Sequence, residues 1–332
     1  MANKRLSKEK QALVLAALCE GTPINAVGRM FKVGKHAILR VIRETGEALG
    51  DYMDKNFRDL PCERIELDEQ WQYVGMHGRR MAKEEPERGD FWLWACIDAD
   101  TKLVLSHVIG TRKSETGFAF VGDVRSRVTG QVQIATDNHH PYAYYIRQHF
   151  GYEGYSYGTE TKIFGESPRL EKMLKRTGRF QEGVDKTVAA ERKAVFGSPD
   201  LASLTTCHIE RAFLTVRQEL KRFQRLGLGY SKDLETHKAA VKLHFGVYNL
   251  VRRHTTLGTT PAVAAGVEQE RWTLEDVVTM TDAYWMPKWE AEKAERAFAK
   301  RLAEDAMFEA ALGEVCTIAL AGNFTRKPGE SD

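Results

Sequence analysis

The sequence predicts an α/β protein: a mixed sheet with flanking helices, preceded by an all-α helix-turn-helix head and followed by a helical tail. Three observations lead there. Residues 1–46 carry helix punctuation and no strand-like alternation. Residues 63–137 change texture to apolar runs broken by turn residues, with one helical pattern among them. From Thr206 onward helical periodicity returns.

Taken in order, Ser7 is an N-cap for a first helix running to Leu18, with Leu13, Val14, Ala17 and Leu18 on one side and Gly21 as its stop. Thr22-Pro23 is an N-cap followed by proline in the first helical position, opening a second helix to about Phe31. Lys32-Val33-Gly34 turns the chain. A third helix begins at Lys35, with Ile38, Val41 and Ile42 inward and Lys35, His36, Arg40 and Arg43 outward. Two short helices about a tight turn, the second one basic, match the helix-turn-helix that lays a helix in the DNA major groove. A plain three-helix bundle with a solvated charged face is the alternative. The net charge of +3 conceals an asymmetry: through residue 46 there are nine Lys or Arg against three Glu, so the body beyond is mildly acidic. A basic head on such a body favours a polyanionic partner.

Residues 51–62 read as a connector between the head (1–50) and a catalytic-sized domain at 63–265. ERIELDEQWQYVG (63–75) alternates and is a strand, FWLWACIDADTKLVLSHVIG (91–110) is a hairpin about DADTK, and 114–129 is a helix. QVQIATD (131–137) is a strand and HHPYAYYIRQHF (139–150) a helix. Trp71, Trp92 and Trp94 lie on these strands and read as core. Residues 151–204, rich in Gly, Lys, Glu and Ser, read as an insertion or arm with one helical piece near 168–176. Two helices follow at about 206–226 and 232–253. A charged, amphipathic tail occupies 266–332.

With 42% hydrophobic and 29% charged residues the chain has an ordinary globular balance. Its densest apolar run, FWLWACI, is too short to cross a bilayer. MANKRLSKEK lacks a signal-type apolar segment, so cytoplasmic residence is expected. Five dispersed cysteines without a C-x-x-C pair favour neither a disulfide framework nor a zinc ribbon. His139, His140, Cys207 and His208 likewise lack metal-ligand spacing, and no zinc site is expected.

Asp137 stands at the end of its strand, where open α/β sheets place ligands. In the first strand Asp68 and Glu69 point to opposite faces, and pattern alone does not choose between them. In CHIERAFLTVRQELKRFQRL, Glu210 and Arg217 are seven residues apart and share a helix face, which Lys221 and Arg225 would extend. Such a helix suits a metal beside a phosphate backbone; an ordinary exposed amphipathic helix has the same pattern. Clustered carboxylates repel unless cations neutralise them. Mg²⁺ suits them, since it takes hard oxygen ligands and leaves places for substrate phosphate. Two such ions roughly 3.5–4 Å apart would serve an in-line phosphoryl transfer.

L-D-E-Q-W-Q-Y-V-G (67–75), T-D-N-H-H-P-Y (136–142), H-I-E-R-A-F-L-T-V-R-Q-E-L-K-R (208–222) and S-K-D-L-E-T-H-K (231–238) resemble bacterial insertion-sequence transposases of the IS-one family. YNLVRRHTTLGTTP (248–261) is similar to the end of many integrase cores. The resemblance implies an RNase H-like D-D-E catalytic domain with Asp68, Asp137 and Glu210 as catalytic metal ligands, choosing Asp68 over Glu69. It also maps the family's basic residue, seven after the glutamate, onto Arg217.

Implied with it are two Mg²⁺ ions per site, Mn²⁺ being a substitute, and strand cleavage and strand transfer at terminal inverted repeats. The partner would be double-stranded DNA, held by Lys35, His36, Arg40, Arg43, Arg217 and Lys221. A homo-oligomer, at least a dimer on DNA, and a bacterial, nucleoid-associated setting are implied too. Two other readings stand beside this one: a DNA-binding regulator or domesticated relative that does not cut, and an RNase H-like nuclease. Three features depart from the family. The Asp137–Glu210 interval is 73 residues, against 69 between Asp68 and Asp137, and the excess falls in 151–204. Phe213 stands where Asn is usual, and no cysteine-rich zinc motif precedes the head.

Overall fold

A computed structural model describes residues 5–83, 85–165, 186–223 and 229–322, with side chains withheld at 164–165, 186–188 and beyond 307. The helices are α1 (Lys8–Cys19), α2 (Ile24–Phe31), α3 (Lys35–Asn56), α4 (Ser114–Arg127), α5 (Pro141–Phe150), α6 (Cys207–Glu219), α7 (Leu234–Leu250), α8 (Pro261–Ala264) and α9 (Leu274–Gly322). The strands are β1 (Arg64–Val74), β2 (Gly89–Asp98), β3 (Val104–Gly110), β4 (Val132–Thr136), β5 (Tyr155–Gly165) and β6 (Lys186–Phe196).

They form one mixed sheet in the order β3-β2-β1-β4-β5-β6. β1, β2 and β3 are an antiparallel meander; β4 and β5 lie parallel to β1. That order and direction, with helices on both faces, is the RNase H-like arrangement. β6 extends it, antiparallel to β5. The stretch expected as an insertion therefore holds the fifth core strand and an edge strand. Both escaped notice because β5 mixes Thr, Glu and Lys into its alternation, and β6 is the charged edge strand that sheets use against edge-to-edge pairing. The helical piece expected near 168–176 lies outside the described residues.

Cross-strand pairing fixes the two faces. Ile65, Leu67 and Glu69 pair with Asp98, Cys96 and Trp94 on one; Glu66, Asp68 and Gln70 pair with Ile97, Ala95 and Leu93 on the other. On the first face Leu67, Trp94 and Cys96 join the larger core with Phe120, Val124, Tyr142 and Ile146 of α4 and α5. On the second, Leu93, Ala95 and Ile97 pack under Ile209, Phe213 and Val216 of α6. Phe213, where the resemblance calls for Asn, is thus a core residue, 3% exposed. Trp94 is fully buried, whereas Trp71 and Trp92 are half-buried.

The head differs from expectation in detail. Ser7 caps α1 through the Lys10 amide, but the buried face is Val14, Leu15 and Cys19, with Leu13 exposed. Pro23 is itself the cap residue of α2, and Thr22 makes no cap. Lys32 closes α2 in the left-handed region at φ 52°, making the tight turn into α3. α3 then runs on to Asn56, through half of the stretch expected as connector. It packs against α7 closely enough that a Cβ on Gly46 would stand 2.1 Å from the Ala239 carbonyl oxygen. Buried Arg127 ties α4 to the end of α3, donating to Asp54 at 2.7 Å and to the Met53 carbonyl at 3.3 Å. Residues 1–281 form one unit. Residues 282–332 form a second, helical to Gly322 with Pro287 inside, and Arg296–Glu292 and Lys300–Glu304 are its i,i+4 pairs. No helix among the described residues is long and apolar enough to cross a membrane.

Candidate active site

β4 stops at Thr136, opposite Leu67, so the next pair in register is Asp68 and Asp137. The sheet loses its central strand at that point and opens a notch at its edge. Asp68, Glu69 and Asp137 each bring a carboxylate oxygen into it, all within 4.8 Å of one another. Alternation along β1 still holds, since Glu69 leans towards α5, where it accepts from the Tyr142 hydroxyl at 3.0 Å. Arg112 donates to the other oxygen of Glu69 at 2.6 Å. Because β4 is absent beyond Thr136, opposite faces of β1 can reach the same acid. Glu69, which the resemblance set aside, belongs to the cluster.

Burial and the neighbouring Glu69 and Asp137 push the Asp68 carboxyl well above the usual carboxylate range; Glu210 adds to the rise. Its backbone bond from the Glu69 amide, at 2.7 Å, opposes this only in part. Burial and Asp137 also raise Glu69, while Arg112 and Tyr142 act the other way. Asp137 accepts from the His139 amide at 3.0 Å, an Asx turn that holds the loop against the strand end.

Glu210 is placed by two buried strand carboxylates that capture the start of α6, whose first amides have no partner within the helix. Glu66 on β1 accepts from the amides of His208 at 2.8 Å and Ile209 at 2.9 Å. Glu160 on β5 accepts from the Thr206 amide at 3.0 Å and from Arg192 at 3.0 Å. Neither residue stands out in the sequence, since Glu66 lies close to Asp68 and Glu69 and Glu160 lies among Thr159, Thr161 and Lys162. Glu210 then sits in the first turn of α6, within electrostatic reach of Asp68. Its carboxylate is held by Thr206 at 3.0 Å and by Lys162 of β5. It is not among the three acids that meet in the notch, so the expected convergence is seen for Asp68 and Asp137 but not yet for Glu210.

The other singled-out residues fall as follows. Arg217 is half-buried on the Glu210 side of α6. The helix ends at Glu219, so Lys221 lies in a following 3-10 turn and does not prolong a ridge, and Arg225 lies outside the described residues. Lys35 and His36 are exposed and Arg40 is half-buried at the start of α3. Arg43 is engaged with the body, donating to Thr236 at 2.6 Å and Asp233 at 3.0 Å. Cys207 and His208 do come together with a third ligand type, Glu66, but His139 and His140 have no part in that group. His237 is fully buried against Ser231 at 2.7 Å, a packing position.

No protein-family model and no curated protein sequence matches the chain. Among solved structures it is similar to a piggyBac transposase synaptic complex with hairpin DNA, seen by cryo-EM. That match has a TM-score of 0.34 and 11% identity over 87% of this chain and 76% of that one. The crystal structure of the Mos1 strand transfer complex follows, at TM-score 0.19 and 10% identity, over 75% and 79% respectively. The fold assignment rests on strand order and direction.

Proposed function

We propose that the protein is a D-D-E transposase of IS-one type, cutting DNA and transferring strands at the terminal inverted repeats of an insertion sequence. The observation that carries this is the meeting of Asp68, Glu69 and Asp137 where β4 ends. Three carboxylates share that notch, and burial, then the neighbouring Glu69 and Asp137, drives Asp68 towards its protonated form. A divalent cation fits such a donor set: all hard oxygens, unneutralised save for Arg112 on Glu69.

Asp68 and Asp137 would hold Mg²⁺, or Mn²⁺ in its place, and Glu210 would join them on release from Lys162. The chemistry two such ions supply when bound is activation of a water or 3′-hydroxyl and stabilisation of the leaving oxygen. Glu69, fixed by Arg112 and Tyr142, keeps the notch anionic and orients the end of β1. Glu66 and Glu160 set the height of Glu210 over the sheet. The basic start of α3, with Lys35, His36 and Arg40, would read or grip duplex DNA, and the working form would be a homo-oligomer on that DNA.

A reading as a DNA binder that does not cut is favoured by one contact, the Lys162 ammonium on Glu210. Labelled inverted-repeat ends incubated with Mg²⁺ or Mn²⁺ separate the possibilities. Joined products support transposition. Cuts without joining point to a nuclease, and binding alone to the non-cutting protein.

A further inference from the structure

Helix α6 presents polar residues on two sides. Glu210 and Arg217 lie on one side; His208, Arg211 and Thr215, at spacings of three and four, follow one another on the opposite side. Those three line a cleft of about 480 Å³ together with Lys102 from the β2–β3 turn and Arg253 and His254 just beyond α7. Among the described residues one acid, Glu219, lines it, and that carboxylate is taken by Arg252, which also holds Glu20 at 2.7 Å. The His208 ring is engaged by Glu66 at 2.5 Å. Lys102 is steadied by the Ala99 carbonyl and Arg253 by the Gly258 carbonyl at 2.7 Å. Among the described residues, Lys102, Arg211 and Arg253 have no carboxylate partner.

Within this cationic wall Nδ1 of His254 is buried with no hydrogen-bond partner. Burial, then Lys102, His208 and Arg211, lowers the pKa of that imidazole. A concave site with several unpaired cations, hydroxyls and an unpaired ring nitrogen lacks only an anion of several acceptor oxygens. Phosphate has that chemistry: a compact charge that arginine forks meet in pairs.

We propose that this cleft binds phosphate, and that the phosphate belongs to the backbone of a duplex DNA segment passing behind α6, away from the carboxylate notch. The source of the phosphate rests on the DNA reading above; the anion site itself does not. Contacts of this kind are independent of base sequence and release counterions, so they appear in the salt dependence of binding.

The test uses the full chain without divalent metal. Binding of a labelled duplex lacking any terminal repeat is followed by fluorescence anisotropy across a salt series, for the wild type and the double variant R211E/R253E. Both residues are exposed, so the thermal unfolding temperature should stay unchanged. Binding should weaken roughly tenfold, and the log–log salt slope should fall by about 2. Unchanged affinity and slope would overturn the DNA assignment. In parallel, inorganic phosphate is titrated into histidine-labelled protein and the His254 ring resonances are followed by NMR. A shift that saturates, and that the duplex reproduces, supports the proposal. A shift with phosphate that the duplex never reproduces limits the site to free phosphate and overturns the DNA source. No response to either overturns the site while leaving cleavage at the notch untouched.

Discussion

The ammonium of Lys162, on β5, sits on the carboxylate of Glu210 in the first turn of α6. The contact is half-exposed on the glutamate side, at 42%, which keeps it weak and replaceable. It places an internal cation beside the aspartate notch, where the proposed reaction calls for metal. On the proposed function, Lys162 would compete with a divalent ion for Glu210. Lys162→Ala should lower the Mg²⁺ concentration that half-saturates strand cleavage, by up to roughly fivefold, since such pairs are worth about 0.2–1 kcal/mol. Cleavage by the variant across a Mg²⁺ titration checks this; a higher half-saturating concentration would remove Lys162 from that role.

Asp137 and Glu69 share the notch but differ in their anchors. Asp137 has one backbone donor, whereas the Glu69 side chain is 2% exposed and held by Arg112 and Tyr142. Asp137→Asn should reduce cleavage on the order of a thousandfold and leave duplex affinity nearly intact. Glu69→Gln should instead lose about 1–3 kcal/mol of stability, from weakened bonds to buried Tyr142 and to exposed Arg112, with a smaller drop in rate. Paired rate and thermal-unfolding measurements distinguish them. Full activity in the Asp137 variant would refute its assignment.

The sequence carried the meander, both helices that flank it and the strand-end position of Asp137, because each has a periodicity that burial on one side enforces. β1 read clearly since Ile65, Leu67 and Trp71 alternate with polar residues. β5 and β6 did not, because the buried start of β5 includes Thr159 and Glu160 and the edge strand β6 is largely exposed, so neither carries an apolar pattern. The Glu69 contribution was hidden by a rule that is correct: neighbours on a strand do point apart. What the rule omits is that β4 ends at Thr136, leaving both sides of β1 open to Asp137. Likewise, outward charges of α3 were legible, but Arg43 acquires a partner 190 positions away that no local pattern reveals.

That partner separates two arginines of α3. Arg40 has no ion pair among the described residues, while Arg43 bridges to Asp233 and Thr236 of the α7 cap. Arg40→Ala should lower the salt slope of duplex binding by about 0.9, the value for one phosphate contact. Arg43→Ala should leave the slope unchanged and cost roughly 1 kcal/mol of stability. A fall in slope with Arg43→Ala, measured on the same duplex, would mean that the bridge opens on DNA.

His237 contributes to the pH dependence, together with the buried His244 and His107. The His237 ring is fully buried, stacked on Phe223 at 5.2 Å, with Nδ1 bonded to Ser231 and Nε2 without a partner. Burial, then the nearby Arg222, lowers its pKa to about 3, and burial lowers that of His244 to about 4. Both rings stay neutral in the folded protein while the unfolded chain takes up protons below about pH 6.5. The unfolded state then binds more protons, so stability rises with pH through this window and falls as the pH drops from about 6.5 towards 4. Each ring should contribute up to roughly 1.4 kcal/mol per pH unit at the steep part. Urea unfolding at pH 7, 6 and 5 should show the loss, and His237→Gln should reduce its slope even though the variant starts less stable. A slope identical to that of the wild type would mean that His237 is charged in the fold, its Nδ1–H donating to the Ser231 hydroxyl oxygen.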